Sequence, residues 1–256
     1  MTSDLTLTQA AQLALQCLDL TSLNDADTSD DIRALCLRAQ TRFGPVAAVC
    51  VWPRFVALAR SLLPSEIRVA AVANFPAGAL DVALALADVK TIVDAGGDEV
   101  DVVLPYHALM QGQTSQCADF LEQVRAACGA LTLKVIIESG ELKSTALIAQ
   151  ATQLALAAGA NFIKTSTGKT PVSATLEAAT VMLQQIAVSS HASAGFKASG
   201  GIRSVPEAKA YLDLAGNTLG QSALTAQRFR FGASGLLKDI EAVLAGESSS
   251  KISSAY

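Results

Sequence analysis

The chain repeats one pattern eight times, an apolar strand-like segment followed by a helix-like segment. The strand-like segments are continuous apolar runs, which are typical of a parallel sheet buried on both faces. Dividing 256 residues by eight gives 32 residues per unit. Such even spacing favours a closed barrel over an open doubly wound sheet, and no Gly-x-Gly-x-x-Gly turn follows the first strand. The predicted fold is therefore α/β, a single (β/α)8 TIM barrel.

The unit boundaries follow from apolar runs and from the Gly and Pro residues that end them. An extra helix over residues 6–17 precedes the first strand. We expect one catalytic domain over 1–246 and a flexible, polar, serine-rich tail over 247–256. The predicted strands are 17–21, 46–51, 67–73, 99–105, 131–138, 162–166, 195–201 and 228–233.

The composition limits which binding partners and which cellular compartment are expected. Charged residues make up only 16% of the chain, which fits strands covered on both sides. A net charge of −4 without a basic cluster argues against nucleic acid as a partner. No apolar run reaches the length of a spanning helix, and the N-terminus lacks the features of a secretory signal. We therefore expect no membrane partner and a cytoplasmic protein.

Cysteine and histidine usage argues against disulfides and metal chemistry. The five cysteines are odd in number, widely spaced and without a CxxC pair, so free thiols in a reducing compartment are expected. The two histidines, His107 and His191, show no metal-ligand spacing. The sequence therefore predicts an activity without a metal.

Four consecutive strands carry an ionisable residue inside an apolar run: Asp101, Lys134, Lys164 and Lys197. Their spacings of 33, 30 and 33 residues are each close to one unit, which places them at a similar height in the barrel. A charge in a buried strand costs several kcal/mol unless it is paired or its pKa shifts. The alternative for Lys164 is an edge strand whose lysine reaches solvent.

The chemistry of this group depends on how the lysines share carboxylates. Glu138 has the same strand parity as Lys134, and a structural ion network is the more probable role for that pair. Lys164 and Lys197 compete for Asp101, so their mutual repulsion should push one pKa towards neutrality. A neutral amine attacks carbonyls to form a Schiff base, and a protonated lysine beside a carboxylate can move protons.

Glycine-bearing segments follow three of the later strands, at residues 167–169, 199–201 and 231–235. Exposed backbone N–H groups at such loop and helix starts bind phosphate, and barrels often hold phosphate near the seventh and eighth strands. One such glycine is weak evidence because turns also use glycine. Three neighbouring segments indicate a phosphate site.

Long motifs in the chain resemble those of the deoxyribose-phosphate aldolase family. They are DEVDVV at 98–103, KVIIESGEL at 134–142, FIKTSTGK at 162–169 and GFKASGGIR at 195–203. Shorter matches are LDLT at 18–21, CVWPRF at 50–55 and RFGAS at 230–234. The resemblance covers nearly the whole chain in order.

The resemblance implies a metal-independent class I aldolase on a (β/α)8 barrel. Such an enzyme reversibly cleaves 2-deoxy-D-ribose 5-phosphate into acetaldehyde and D-glyceraldehyde 3-phosphate, in deoxyribose phosphate catabolism. Carried over, Lys164 is the Schiff-base lysine, Lys197 lowers its pKa and Asp101 relays protons, with a methyl proton removed through water. The resemblance further implies a substrate and phosphate set of Gly168, Lys169, Gly200, Gly201, Ser234 and Gly235, and a supporting set of Asp19, Thr21, Cys50, Lys134 and Glu138.

The chain departs from the family pattern at two positions. Gly235 stands where many relatives have a second serine, so a hydroxyl contact to phosphate is lost while the backbone N–H remains. Ala198 stands where proline is common. A terminal tyrosine reaches the active site in some relatives, and Tyr256 is the corresponding candidate, although a disordered tail is the default expectation.

Three other functions are compatible with the same residues. A Schiff-base aldolase could use a different donor or acceptor, and a substrate panel would separate it. A phosphate-binding barrel isomerase would use Lys164 only as a cation and would form no imine. A sugar-phosphate binder would bind without cleaving, but it gains nothing from two crowded lysines. We expect small-molecule aldehyde and sugar-phosphate substrates, with a homodimer as one candidate for the oligomeric state.

Overall fold

Eight parallel strands pair side by side and close into a barrel in the computed structural model, which describes residues 5–191 and 193–249. The predicted (β/α)8 barrel and the extra N-terminal helix are confirmed. Within these ranges the strands are β1 (Leu18–Thr21), β2 (Ala48–Val51), β3 (Arg68–Ala73), β4 (Glu99–Val103), β5 (Thr132–Ile136), β6 (Phe162–Lys164), β7 (Gly195–Ser199) and β8 (Phe229–Ala233). A short antiparallel pair, Gln40–Thr41 with Gly44–Pro45, lies outside the barrel.

Helices surround the barrel, and side chains cap several of them. Thr6 and Gln9 form a capping box at the first helix, and Ser204 and Glu207 form another at the tenth. The described residues contain α1 (Leu7–Gln16), α2 (Ser29–Arg38), α3 (Val56–Leu62), α4 (Val82–Asp94), α5 (Tyr106–Met110), α6 (Thr114–Cys128), α7 (Ser139–Leu142), α8 (Thr145–Ala157), α9 (Leu176–Val188), α10 (Val205–Leu219) and α11 (Leu236–Leu244).

Four of the eight predicted strands extend past the sheet at their carboxyl ends, and the structure ends them at Val103, Ile136, Lys164 and Ser199. The strand predicted over 131–138 ends at Ile136, and Glu138 has a left-handed backbone with φ 51°. Likewise the strand predicted over 162–166 ends at Lys164. The sequence misplaces these ends because the residues after each strand remain buried, so the apolar pattern continues after ladder pairing stops.

The helix predicted over 142–158 is two helices, α7 and α8. Lys143 ends α7 in the left-handed region with φ 55°, and Ser144 accepts the Leu147 N–H to begin α8. Gly159, with φ 79°, follows the end of α8 as predicted. The break brings α7 beside the residues that follow β6, where Ser139 N–H donates to the Thr165 carbonyl at 2.9 Å.

The barrel has an apolar outside and a charged inside. Strand and helix side chains form one large hydrophobic cluster between the two layers. Inside, charged residues from several strands replace the branched aliphatic layers that usually fill such barrels. A small second cluster of Leu23, Cys50, Ala70 and Val72 lies apart from the large one, with Trp52 and Phe75 packed against it.

The predictions about the C-terminal tail and about membrane-spanning helices concern the parts of the chain outside the barrel strands. Ser249 donates to Asp239 at 2.7 Å, so the chain remains packed at residue 249. Residues 250–256, including Tyr256, lie outside the described residues, and the division into a 1–246 domain and a 247–256 tail stays a prediction. No helix in the described part of the chain is long and apolar enough to span a membrane.

Candidate active site

Asp101, in the middle of β4, is the centre of a fully buried ion cluster. Its Oδ2 accepts from Lys164 Nζ at 2.9 Å and from Lys197 Nζ at 2.8 Å, and its Oδ1 accepts from Lys134 Nζ at 2.7 Å. The four charged residues predicted to converge therefore do so. All four are shielded from solvent, with Lys164 the most accessible at 3%.

Strand register corrects the predicted common height. Asp101 lies beside Lys134, whereas Lys164 lies beside Ile136, two residues further along β5. Lys197 lies beside Lys164. Lys164 and Lys197 therefore form an upper pair towards the carboxyl ends of the strands, and Lys134 lies one step deeper.

The deeper part of the cluster contains two residues that the sequence analysis left out of the site. Arg230 on β8 donates to Asp19 and, at 2.9 Å, to Glu99 Oε1, and Lys134 also contacts Glu99. Arg230 follows Lys197 by 33 residues, the same spacing as the other strand charges, so the repeat could have found it. Glu99 was recoverable from strand parity, since it lies two residues before Asp101.

The three lysines differ in the number of carboxylates they contact. Lys134 contacts Asp101, Glu99 and, at 3.4 Å, Asp19. Lys197 contacts Asp19 and Asp101, so the predicted competition for a single carboxylate is wrong for this residue. Among the described residues, Lys164 contacts Asp101 alone. It is therefore the least compensated of the three ammonium groups.

These contacts separate the pKa values of the lysines. Burial lowers the pKa of Lys164, the Lys197 charge lowers it further, and Asp101 only partly opposes them. Burial also acts to lower the pKa of Lys197 and of Lys134, but their carboxylates outweigh it and raise both. Lys164 is therefore the lysine whose pKa moves towards neutrality, as predicted for one member of the pair. Burial lowers this pKa more than the charge of Lys197 does.

Charge balance in the cluster points the same way. Four basic side chains (Lys134, Lys164, Lys197 and Arg230) meet three carboxylates (Asp19, Glu99 and Asp101). Loss of one proton makes the buried group neutral, and charge in a low-dielectric interior is costly unless balanced. Burial acts to raise the pKa of Asp101, but the three lysines lower it well below its ordinary value, so the proton is lost from a lysine.

A cavity of about 330 Å³ opens above this cluster at the carboxyl ends of the strands. Of the three clustered lysines, only Lys164 lines it. Every residue predicted to hold substrate or phosphate lines the cavity: Gly168, Lys169, Gly200, Gly201, Ser234 and Gly235. Thr21 lines it as well. One amine of lowered pKa therefore faces a space large enough for a small sugar phosphate.

The cavity wall offers donors suited to an anion. Within the described residues, the backbone N–H groups of Gly168, Gly201 and Gly235 donate to no protein acceptor. Gly235 also precedes the N-terminus of α11, where the helix dipole favours negative charge. Lys169 directs its ammonium to the Leu23 carbonyl at 2.7 Å and has no carboxylate partner in the described ranges.

The structure separates the predicted pair of Lys134 and Glu138. Lys134 belongs to the ion cluster, whereas Glu138 lies beyond the end of β5 and accepts from Thr167 and Thr170. The prediction that both face one side of the same strand is therefore wrong. It failed because β5 ends at Ile136 and the backbone then turns into the left-handed region at Glu138.

The remaining predicted residues lie close to the cluster. Asp19 is part of it, and Thr21, two residues later on β1, lines the cavity. Cys50 is a buried free thiol whose pKa burial raises, with a smaller contribution from Asp101. Gly232, unassigned by the sequence, leaves room for Lys197, since a Cβ there would lie 3.0 Å from Lys197 Cε.

Comparisons with known proteins agree with this geometry. The sequence model of the DeoC/LacD family aldolases matches residues 13–239. The chain belongs to this family. It is 49% identical, over 97% of its length and 96% of the relative's, to a protein of Agrobacterium fabrum named deoxyribose-phosphate aldolase.

Solved structures show the same fold. One from Coccidioides immitis, provisionally described as a deoxyribose-phosphate aldolase, has a TM-score of 0.80 and 27% identity, covering 95% of this chain and 91% of that one. Another from Toxoplasma gondii, with the same description, has a TM-score of 0.84 over 94% and 96% of the two chains. At 22% identity the second comparison supports the fold alone.

Proposed function

We propose that this DeoC/LacD family member reversibly cleaves 2-deoxy-D-ribose 5-phosphate into acetaldehyde and D-glyceraldehyde 3-phosphate, in deoxyribose phosphate catabolism. The relative that is 49% identical over nearly the whole chain carries the name of that activity. The observation that carries the chemistry is Lys164, a buried amine of lowered pKa that faces a cavity with free backbone donors. Lys164 is the Schiff-base nucleophile in this proposal.

The neutral form of Lys164 begins the reaction. Its amine adds to the C1 carbonyl of the open-chain sugar, and loss of water gives an iminium ion. A water molecule bonded to the Asp101–Lys197 pair takes the proton of the C3 hydroxyl, the C2–C3 bond breaks, and the bonding electrons move to the iminium to give an enamine. The phosphorylated aldehyde leaves, the enamine takes a proton at C2, and hydrolysis of the imine releases acetaldehyde and regenerates Lys164.

Lys197 and Asp101 have different roles in this mechanism. Lys197 stays protonated because Asp101 and Asp19 outweigh its burial, so it keeps a positive charge beside Lys164. Asp101 stays ionised and bonds both ammonium groups through one oxygen, 2.9 Å and 2.8 Å away. Through the same water molecule, the Asp101–Lys197 pair passes that proton to C2 in cleavage and takes it from C2 in synthesis.

The glycine-bearing segments of the cavity wall hold the phosphate. Gly168, Gly201 and Gly235 supply backbone N–H groups there, and the α11 N-terminus adds its dipole. Lys169 supplies a nearby ammonium. Gly200 and Ser234 complete the assigned set on the cavity wall.

The same proposal covers the cofactor, the partners and the compartment. The reaction needs no metal, since the imine itself serves as the electron sink. Among the described residues, no group of three or more His, Cys, Asp or Glu side chains is arranged to hold a metal ion. The substrates are a small aldehyde and a sugar phosphate, nucleic acid and membranes are not partners, and we assign the protein to the cytoplasm. A homodimer remains our candidate for the oligomeric state.

Borohydride trapping tests the assignment of Lys164. Incubation with acetaldehyde and borohydride should leave an N-ethyl group on the peptide that contains Lys164, read by mass spectrometry, and should inactivate the enzyme. Lys164→Met should give no adduct there. An adduct on another lysine, or full activity of the trapped protein, would overturn the assignment. A separate assay that measures the release of acetaldehyde from 2-deoxyribose 5-phosphate tests the identity of the substrate.

A further inference from the structure

The carboxylate of Glu138 lies behind the loop that follows β6. It is fully buried and does not line the cavity. Its Oε2 accepts from Thr167 Oγ1 at 2.5 Å, its Oε1 accepts from Thr170 Oγ1 at 3.2 Å, and both oxygens lie 3.3 Å from Thr167 N. One side chain thus holds both ends of the segment 167–170.

The segment held by Glu138 carries a free donor into the cavity. Gly168 lies between the two threonines, and within the described residues its N–H has no protein acceptor. Lys169 N–H donates to Thr167 Oγ1 at 3.0 Å, so the hydroxyl bound to Glu138 also fixes the next amide. Gly168 has φ 78°, in the left-handed region that glycine adopts without steric cost. Glu138 therefore bonds the residues on either side of Gly168.

Backbone packing independently joins the two segments. A Cβ added at Gly140 would lie 2.1 Å from the Val172 carbonyl oxygen, so only glycine permits this approach. Ser139 N–H bonds the Thr165 carbonyl at 2.9 Å. Glu138 itself has a left-handed backbone, rare for glutamate and found where surrounding contacts over-determine it. The start of α7 is thus a rigid platform for the loop after Lys164.

From this geometry we propose that Glu138 is a positioning residue for phosphate recognition. It acts through Thr167 and Thr170 and keeps the Gly168 N–H directed into the cavity before substrate arrives. Preorganised donors bind an anion more tightly because the loop loses less conformational freedom on binding. The proposal rests on the function proposed above, and it names the residue that makes this enzyme favour phosphorylated substrates.

Glu138→Gln is the direct test, because it keeps the length of the side chain and replaces one acceptor oxygen by a donor. KM for 2-deoxyribose 5-phosphate should rise about tenfold, whereas kcat/KM for unphosphorylated 2-deoxyribose should change less than about twofold. Glu141→Gln, the same change three residues further on, is the matched control and should affect neither substrate.

Equal losses for both substrates, or the same loss in Glu141→Gln, would overturn the proposal. If Glu138→Gln does not fold, Thr170→Val decides, because it removes one of the three donors and should raise KM selectively for the phosphorylated sugar. Inorganic phosphate binding by calorimetry separates this proposal from the reaction. A Kd about tenfold weaker in Glu138→Gln supports the positioning role even if wild-type protein cleaves neither sugar, and an unchanged Kd refutes it.

Discussion

The two ends of the buried ion cluster differ in how completely their charges are matched. At the deep end, Arg230 bonds two carboxylates, and Lys134 contacts three. At the cavity end, Lys164 contacts one, which it shares with Lys197. Burial disfavours charge at both ends, and the carboxylates overcome it at Lys134 and Lys197 but not at Lys164.

This difference shows that burial alone does not identify a reactive lysine. Lys134, Lys164 and Lys197 are all almost fully buried, yet their pKa values move in opposite directions. What distinguishes Lys164 is the number of carboxylates around it and its access to the cavity. The deep end serves as a charged scaffold, and the cavity end keeps one amine ready to lose its proton.

The largest effect is expected from Lys164→Met. Activity should fall by roughly 10⁴-fold or more, because no other lysine of the buried cluster lines the cavity, and Lys169, also on its wall, donates to the Leu23 carbonyl instead. Stability should change by only about 1 kcal/mol, because the remaining three cations still balance three carboxylates. Steady-state cleavage assays and urea unfolding measure the two quantities. The exposed surface substitution Lys90→Ala is the control, and near-full activity of Lys164→Met would refute its role.

The second-largest effect is expected from Lys134→Met, which should lower the stability of the protein. This change leaves Asp101 Oδ1 and Glu99 without their shared buried donor, which should cost about 3–5 kcal/mol in unfolding free energy. The comparison with Lys164→Met in the same urea titration is decisive. Equal stability of the two variants would show that the deep and cavity ends are not energetically different.

Lys197→Leu should change the pH dependence of the reaction. Loss of its charge removes a repulsion and frees Asp101 for Lys164, so the pKa of Lys164 should rise. Since the neutral amine is the reactive form, the acidic limb of the kcat/KM profile should move to higher pH. The rate at pH 7 should fall on the order of 10²-fold. An unmoved limb in this variant would contradict the electrostatic role of Lys197.

The smallest effect is expected at the rim of the cavity, from Gly235→Ser. A Cβ at this position would meet no atom within 4 Å, and the backbone φ of −96° suits any residue. The added hydroxyl should lower KM for the phosphorylated sugar by about 2- to 10-fold, the gain from one hydrogen bond, and leave the unphosphorylated sugar unaffected. A raised KM would place the phosphate elsewhere in the cavity.

Much of the fold and of the site followed from periodicity. The 32-residue repeat predicted the barrel, and the 33-, 30- and 33-residue spacings placed Asp101 and the three lysines on neighbouring strands. The same 33-residue spacing separates Lys197 from Arg230, but the sequence analysis did not assign Arg230 to the site, and its apolar neighbours Phe229 and Phe231 do not indicate the carboxylates that it contacts. The position of Glu138 was wrong because strand parity fails once the strand has ended.

The sequence by itself determined the architecture, the family and four of the clustered charges (Asp101, Lys134, Lys164 and Lys197), because these depend on residue order and spacing along the strands. Tertiary structure alone decided which lysine faces the cavity and which carboxylates surround each one. These pKa values depend on distances between side chains from six strands, and those distances arise from barrel closure and register. For that reason Lys134 and Lys164, similar in sequence context, have pKa values shifted in opposite directions and have different roles.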